Sequence, residues 1–231
     1  MENVSFMKVS GVCAILSGVV SAAAFIILIV ATDFVDADGA AEFLTAAHNS
    51  NRAVAGALWL FVLGPLLAVM AVLGLYQAVR GQEGLVRVAA VFFLLSIPLV
   101  ISRVFLDLGV VYELAPAYVI SAANSPTSSS LLVVADTIKA IGILASLVGN
   151  VLFLGIGVLL FSVAVIRTSV VPRWIGWLGV LAALVGGWLP LLRPAFSVIE
   201  FIGLIGFFLS IGWMISIGVS LLRLEEPEVP T

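Results

Sequence analysis

Charge is what this sequence has least of: across 231 residues there are only 10 Lys and Arg and 13 Asp and Glu, about 10% of the chain. A soluble domain carries roughly 25% charged residues. The shortage excludes a basic field for nucleic acid, and the net charge of −3 points the same way. Cysteine and histidine are nearly absent too, with Cys13 and His48 standing alone. One thiol cannot close an internal disulfide, and a single Cys with one distant His cannot build a zinc or haem site. No glycine-rich phosphate loop is present either, since Gly203-Leu204-Ile205-Gly206 lacks the lysine and the strand that such a loop needs. No cofactor, metal or catalytic residue is expected on these grounds, and a nucleophile elbow is also missing.

What fills the space is hydrocarbon. Hydrophobic residues make up 63% of the chain and the mean hydropathy is +1.29. A water-soluble fold of this size could not hide so much apolar surface. The apolar runs are too long for membrane β-strands, which need about 9–11 residues of alternating polarity. Helices satisfy every backbone group within the segment, as lipid demands. The expected fold is therefore an all-α, polytopic bundle of six transmembrane helices in one domain, residues 1–224, with an acidic tail over 225–231.

Charged residues and turn formers place the helices at about 9–31, 53–79, 85–112, 131–166, 174–192 and 198–222. The charge-free run Val9–Thr32 is long enough to span a core of about 30 Å, so it is expected to be a retained helix rather than a cleaved leader. The acidic connection after it, with Asp33, Asp36, Asp38, Glu42, His48 and Arg52, leaves room for a short surface helix over Gly39–Ala47 capped by Asp38. His48 has no partner in the sequence and is expected to be an ordinary loop residue. Gly64-Pro65 should bend the second helix, and Pro116–Ser130 should form a loop.

Lys and Arg divide unevenly between the two sides. Lys8, Arg80, Arg87, Arg167, Arg173 and Arg223 fall on one side, and Arg52 and Arg193 on the other. The excess marks the cytoplasmic face, which places both termini inside the cell and the chain in the plasma membrane. Tyr76, Trp174 and Trp177 then lie at the inner interface and Trp188 near the outer one.

Helices in lipid approach closely where residues are small. Ala14, Gly18 and Ala22 form one such stripe; Gly179, Ala183 and Gly187 form another; Gly212, Ser216 and Ser220 a third. These faces serve packing within the chain, or else a homo-oligomer or another membrane partner; the lipid bilayer is the remaining partner, and no nucleic acid is expected.

One constellation carries charge into the apolar spans. Arg103 and Asp107 are four residues apart on the third helix, with Ser96 on the same face. On the fourth helix Asp136, Lys139, Ser146 and Asn150 share another face. Glu113 and Glu200 would mark the outer rim. A charge at the bilayer centre costs about 2.5–3.5 kcal/mol, so inward pairing is expected, Arg103 with Asp136 and Asp107 with Lys139. Such pairs either fix helix register or line a vestibule that handles a small solute, an ion or a proton. Small-solute or ion transport, a structural, accessory or sensory role through helix contacts, and an intramembrane enzyme acting on a lipid-like substrate all stay open at this point.

Three motifs carry a resemblance. They are the opening helix around Gly11–Val30, the pair Asn51-Arg52 leading into a helix that ends Leu75-Tyr76, and the turn Val171-Pro172-Arg173-Trp174-Ile175-Gly176-Trp177-Leu178 before a glycine-rich fifth helix. In these the chain resembles an uncharacterised bacterial family of six-helix membrane proteins, domain of unknown function 4386. The resemblance implies a fold and a membrane location and lends no activity. Purified without detergent or lipid, the chain is expected to aggregate; a folded monomer in plain buffer, seen by size-exclusion chromatography and circular dichroism, would overturn the membrane assignment.

Overall fold

A computed structural model describes residues 2–32, 39–121, 125–168, 170–192 and 199–224. Among them there are helices and no strands. Six helical stretches are long and apolar enough to cross a membrane: Ser5–Val30, Asn51–Ala78, Glu83–Ile120, Pro126–Arg167, Arg173–Leu192 and Gly203–Leu222.

The first span is α1 (Glu2–Ala31). A short helix, α2 (Ala40–Asn49), precedes the second span, α3 (Asn51–Ala78), which stays one element through Pro65. A 3₁₀ turn, Arg80–Gln82, leads into the third span. That span is α4 (Glu83–Gly109), a π-helical segment Val110–Leu114, and α5 (Ala115–Ile120). The fourth is α6 (Pro126–Asn150), a π segment Val151–Val158, and α7 (Leu159–Arg167). The fifth is α8 (Arg173–Ala182), a π segment Ala183–Trp188, and a 3₁₀ turn Leu189–Leu192. The last is α9 (Ile199–Leu222).

The wide π turns have a physical cause in two of the three cases. Pro116 and Pro190 each sit two residues beyond a π segment. Each proline lacks the N–H that would bond four residues back, and local π or 3₁₀ adjustment re-satisfies the freed carbonyls where no water can.

The expected loop over Pro116–Ser130 is much shorter than its composition suggested. Pro116 is the second residue of α5, inside the continuous span Glu83–Ile120, and the π segment just before it accommodates the missing N–H. Pro126 opens α6, and the Ser125 hydroxyl accepts from the Ser128 amide at 3.1 Å as an N-cap. Pro126 starts a helix and Pro116 is carried within one; neither breaks its span. The short helix α2 begins at Ala40 with Gly39 as its N-cap and no side-chain capping bond. Asp38, expected to cap it, lies outside the described residues, as do Asp33, Asp36, Arg193 and the tail over 225–231.

The chain sorts into two compact units, each assembled from parts of several spans. One comprises Met1–Val19, Gly64–Ile97 and Leu147–Thr231; the other comprises Val20–Leu63 and Pro98–Ser146. Alanines such as Ala14, Ala57, Ala68, Ala89, Ala164 and Ala182 are buried together with large side chains such as Leu44, Phe93, Phe161 and Trp213, while Leu16, Leu66, Leu95, Phe105, Leu144 and Leu181 are exposed. Large apolar groups on the outside carry no penalty when the solvent is hydrocarbon.

In the first unit, glycines bring backbones together. A Cβ on Gly11 would stand 2.8 Å from the Gly218 carbonyl oxygen, and one on Gly187 would stand 2.5 Å from the Gly155 Cα. Gly186 meets the Gly206 backbone in the same way. The Trp188 indole N–H donates to the Gly155 carbonyl at 2.9 Å, so a residue expected at the outer interface also ties two π segments together. The Ser17 hydroxyl donates to the Gly64 carbonyl at 2.8 Å, linking α1 to α3.

In the second unit, α2 is no detached surface helix. Phe43, Leu44, Ala46 and Ala47 form a buried face, while Glu42, Thr45 and Asn49 stay exposed. That face packs on α5 and the Val110–Leu114 segment. It joins a cluster with Val54, Leu58, Val104, Leu108, Val111 and Ala135.

Gly187→Ala should therefore destabilise the protein by about 1–3 kcal/mol, the usual range for overpacking. Gly56→Ala, where a Cβ meets nothing within 4 Å, should be neutral or stabilising by up to about 1 kcal/mol. Melting in detergent measures both, and equal melting temperatures would contradict the glycine contacts.

Candidate functional site

The second unit holds the charged constellation. Arg103 and Asp107 lie one turn apart on α4, and Arg103 Nε donates to Asp107 Oδ2 at 2.7 Å. Their side chains retain 21% and 8% of their surface. Val104 and Leu108, both buried, stand beside them in the apolar cluster. The other carboxylate oxygen, Asp107 Oδ1, is buried and has no hydrogen-bond partner among the described residues.

The expected cross-helix pairs are not what the structure contains. Arg103 bonds to Asp107 on its own helix, because i, i+4 spacing closes the pair without any match between helices. Asp136 on α6 is exposed on the surface of the chain and makes no ion pair with Arg103. Lys139 is half-buried, and its Nζ lies 5.7 Å from the centroid of the Phe43 ring on α2. Its long stem carries the ammonium to an aromatic face instead of to Asp107.

What α6 contributes to Arg103 is a gap. Gly142 is buried, and a Cβ built on it would collide with the Arg103 terminal nitrogen Nη1 and come within 2.6 Å of Cδ and 2.8 Å of Cζ. The guanidinium thus lies flat on the α6 backbone where a side chain would otherwise stand. Gly142 was not singled out from the sequence, although it continues the face of Asp136, Lys139 and Ser146. A glycine inside a polar stripe opposite an arginine was the available signal.

The other sequence-selected residues scatter. Ser146 and Asn150 are half-buried on α6, and Asn150 leads into the Val151–Val158 segment. The Ser96 hydroxyl is buried and donates to the Phe93 carbonyl at 2.5 Å, within its own helix. Glu113 is exposed in the Val110–Leu114 segment. Glu200 falls in α9, and its side chain lies outside the described residues. The glycines of those stripes face neighbours inside the chain: Gly18 meets Ile215, Gly187 meets Gly155, and Gly212 is 4.0 Å from Leu178. Gly179 lies against the Ser162 hydroxyl and the Trp213 indole, both buried and both without a hydrogen-bond partner among the described residues. His48, expected in a loop, stands on the last turn of α2 with its Nδ1 buried and unpartnered among those residues.

The Arg103–Asp107 pair has a predictable energetic signature. Arg103→Met or Asp107→Leu alone should cost about 3 kcal/mol, the low end for breaking a buried pair. The double substitution should recover most of that loss, because two apolar groups leave no uncompensated charge. Additive losses in a detergent-unfolding cycle would show that the two residues do not act as a pair.

Comparison with known proteins adds the family and little more. A family described as Domain of unknown function (DUF4386) matches residues 9–218. No curated protein matches the chain, and no solved structure matches it. A match over nearly the whole length, on six apolar helices, settles the membership: this chain belongs to the DUF4386 family of multi-pass membrane proteins.

Proposed function

We propose that the protein handles a small charged solute, an ion or a proton across the plasma membrane, at the Arg103–Asp107 pair, with both termini in the cytoplasm. The observation that carries this reading is the buried Asp107 Oδ1, which has no donor among the described residues. A purely structural ion pair gains by satisfying every lone pair, and this one leaves an acceptor open. Ionisable residues inside membrane spans are costly and mark substrate, ion or proton pathways. The six-to-two distribution of Lys and Arg supports the orientation.

A second reading has its own support. Arg103 occupies the gap at Gly142, so the pair also fixes the register of α4 against α6. A homo-oligomeric or accessory role through small-residue faces has less support, since Gly18, Gly187 and Gly212 already face residues of their own chain.

The two readings separate on access to water. In a background with Cys13 replaced by alanine, Arg103→Cys and Asp107→Cys should react with a charged, membrane-impermeant methanethiosulfonate in proteoliposomes. Leu144→Cys, on an exposed apolar position, should stay inert because lipid does not ionise the thiol. If positions 103 and 107 label no faster than position 144, solute handling is wrong and the register role remains.

A further inference from the structure

The pair presents two unequal faces. Arginine has five N–H donors in a planar fork, and here Asp107 engages only Nε. No other hydrogen bond to Arg103 exists among the described residues, so the four terminal N–H groups have no acceptor there. The more accessible partner is the cation, at 21% against 8%. The atom left without a partner among the described residues is an acceptor, the buried Asp107 Oδ1.

A solute that reaches the pair would meet the more exposed guanidinium first. The terminal nitrogens of arginine match oxyanions, taking two oxygens at once. A lone anion would leave the site with a net negative charge among Val104, Leu108 and the rest of the apolar cluster. That is unfavourable in an apolar environment unless another charge changes. The chain offers one group placed to change. Among the charged and titratable residues of the surrounding elements are Asp136 and Lys139 on α6, Glu42 and His48 on α2, Arg52 on α3, and Glu113. Among the described residues the ion-pair partner of the Asp107 carboxylate is Arg103, on its own helix.

We propose that the site takes up one small monovalent oxyanion, a carboxylate or sulfonate, together with one proton. The anion takes the terminal N–H donors of Arg103 that Asp107 leaves open, and the proton goes to the Asp107 carboxylate. Charge balances: one negative and one positive charge enter, and the site is neutral before and after. No covalent bond beyond the carboxyl O–H forms, and nothing is oxidised or reduced. This rests on the reading that solutes reach the pair, and it adds the sign of the solute and the ion that accompanies it.

Methanesulfonate is a suitable probe, because it stays ionised at every working pH and so cannot bring the proton itself. Isothermal titration of the full chain in nanodiscs, repeated in two buffers of different protonation enthalpy, counts the protons absorbed. The wild type should take up about one proton per anion. Above the titration midpoint its affinity should then fall about tenfold per pH unit, as linkage to one proton requires. Asp107→Asn, which carries no titratable proton, should bind methanesulfonate with no proton uptake and no pH dependence over that range. Asp107→Glu should restore the uptake. Tetramethylammonium should not compete.

Anion binding without proton uptake in the wild type overturns the proposal, and that measurement needs no variant to fold. A preference for tetramethylammonium overturns it as well. So does the absence of any methanesulfonate binding. If thiol labelling at positions 103 and 107 succeeds in the same preparation, only the anion–proton inference falls. If labelling fails too, solute handling falls with it.

Discussion

A backbone surrounded by hydrocarbon has no water to fall back on, and each unsatisfied N–H or C=O there costs several kcal/mol. That constraint shapes the chain at three scales. Locally it enforces helix over almost every described residue. At Pro116 and Pro190 it widens the helix just ahead of the ring, so that the freed carbonyls find other partners. Between helices it rewards polar groups that reach a neighbouring backbone. The Ser17 hydroxyl on the Gly64 carbonyl and the Trp188 indole on the Gly155 carbonyl are two such bonds.

Packing then follows from the same solvent. Lipid removes the hydrophobic reason for helices to associate, so contact must come from fit. Glycine on facing surfaces supplies it, at Gly11 with Gly218, Gly155 with Gly187, and Gly186 with Gly206. Gly142 uses the same geometry for a different purpose. Its missing side chain makes room for a guanidinium, which a methyl group there would push aside. The charge that occupies the gap is balanced one turn away on its own helix, by a carboxylate left half-satisfied.

The second unit joins these features to a docked helix. The apolar face of α2 packs on α5 and the Val110–Leu114 segment, and Phe43 lies beneath the Lys139 ammonium. Val104 and Leu108, the neighbours of the ion pair, belong to the same cluster as Phe43 and Leu44. The pair is therefore held in an apolar setting built from several helices, which is what gives its net charge consequences for any solute it binds.

The sequence by itself determined the class of solvent, the helical fold and the six spans. Those depend on composition summed over about 20 residues at a time, and no single contact can reverse such a sum. It also located Arg103 and Asp107, because a charge inside an apolar run stands out without any structure. Other features were beyond it. Pro116, Pro126 and the serines near them look like a loop in sequence, yet Pro126 opens a helix and Pro116 is carried through one by the π segment ahead of it, because a proline's effect depends on where in a helix it falls. Arg103 could have bonded across to Asp136, within its helix to Asp107, or to neither; side-chain reach and solvation in the folded chain selected Asp107. Gly142 acquired its role only from what lies opposite it. Hydrophobicity is additive along a chain and can be read in one dimension, whereas the pairing of charges and the filling of gaps depend on neighbours brought together by tertiary structure alone.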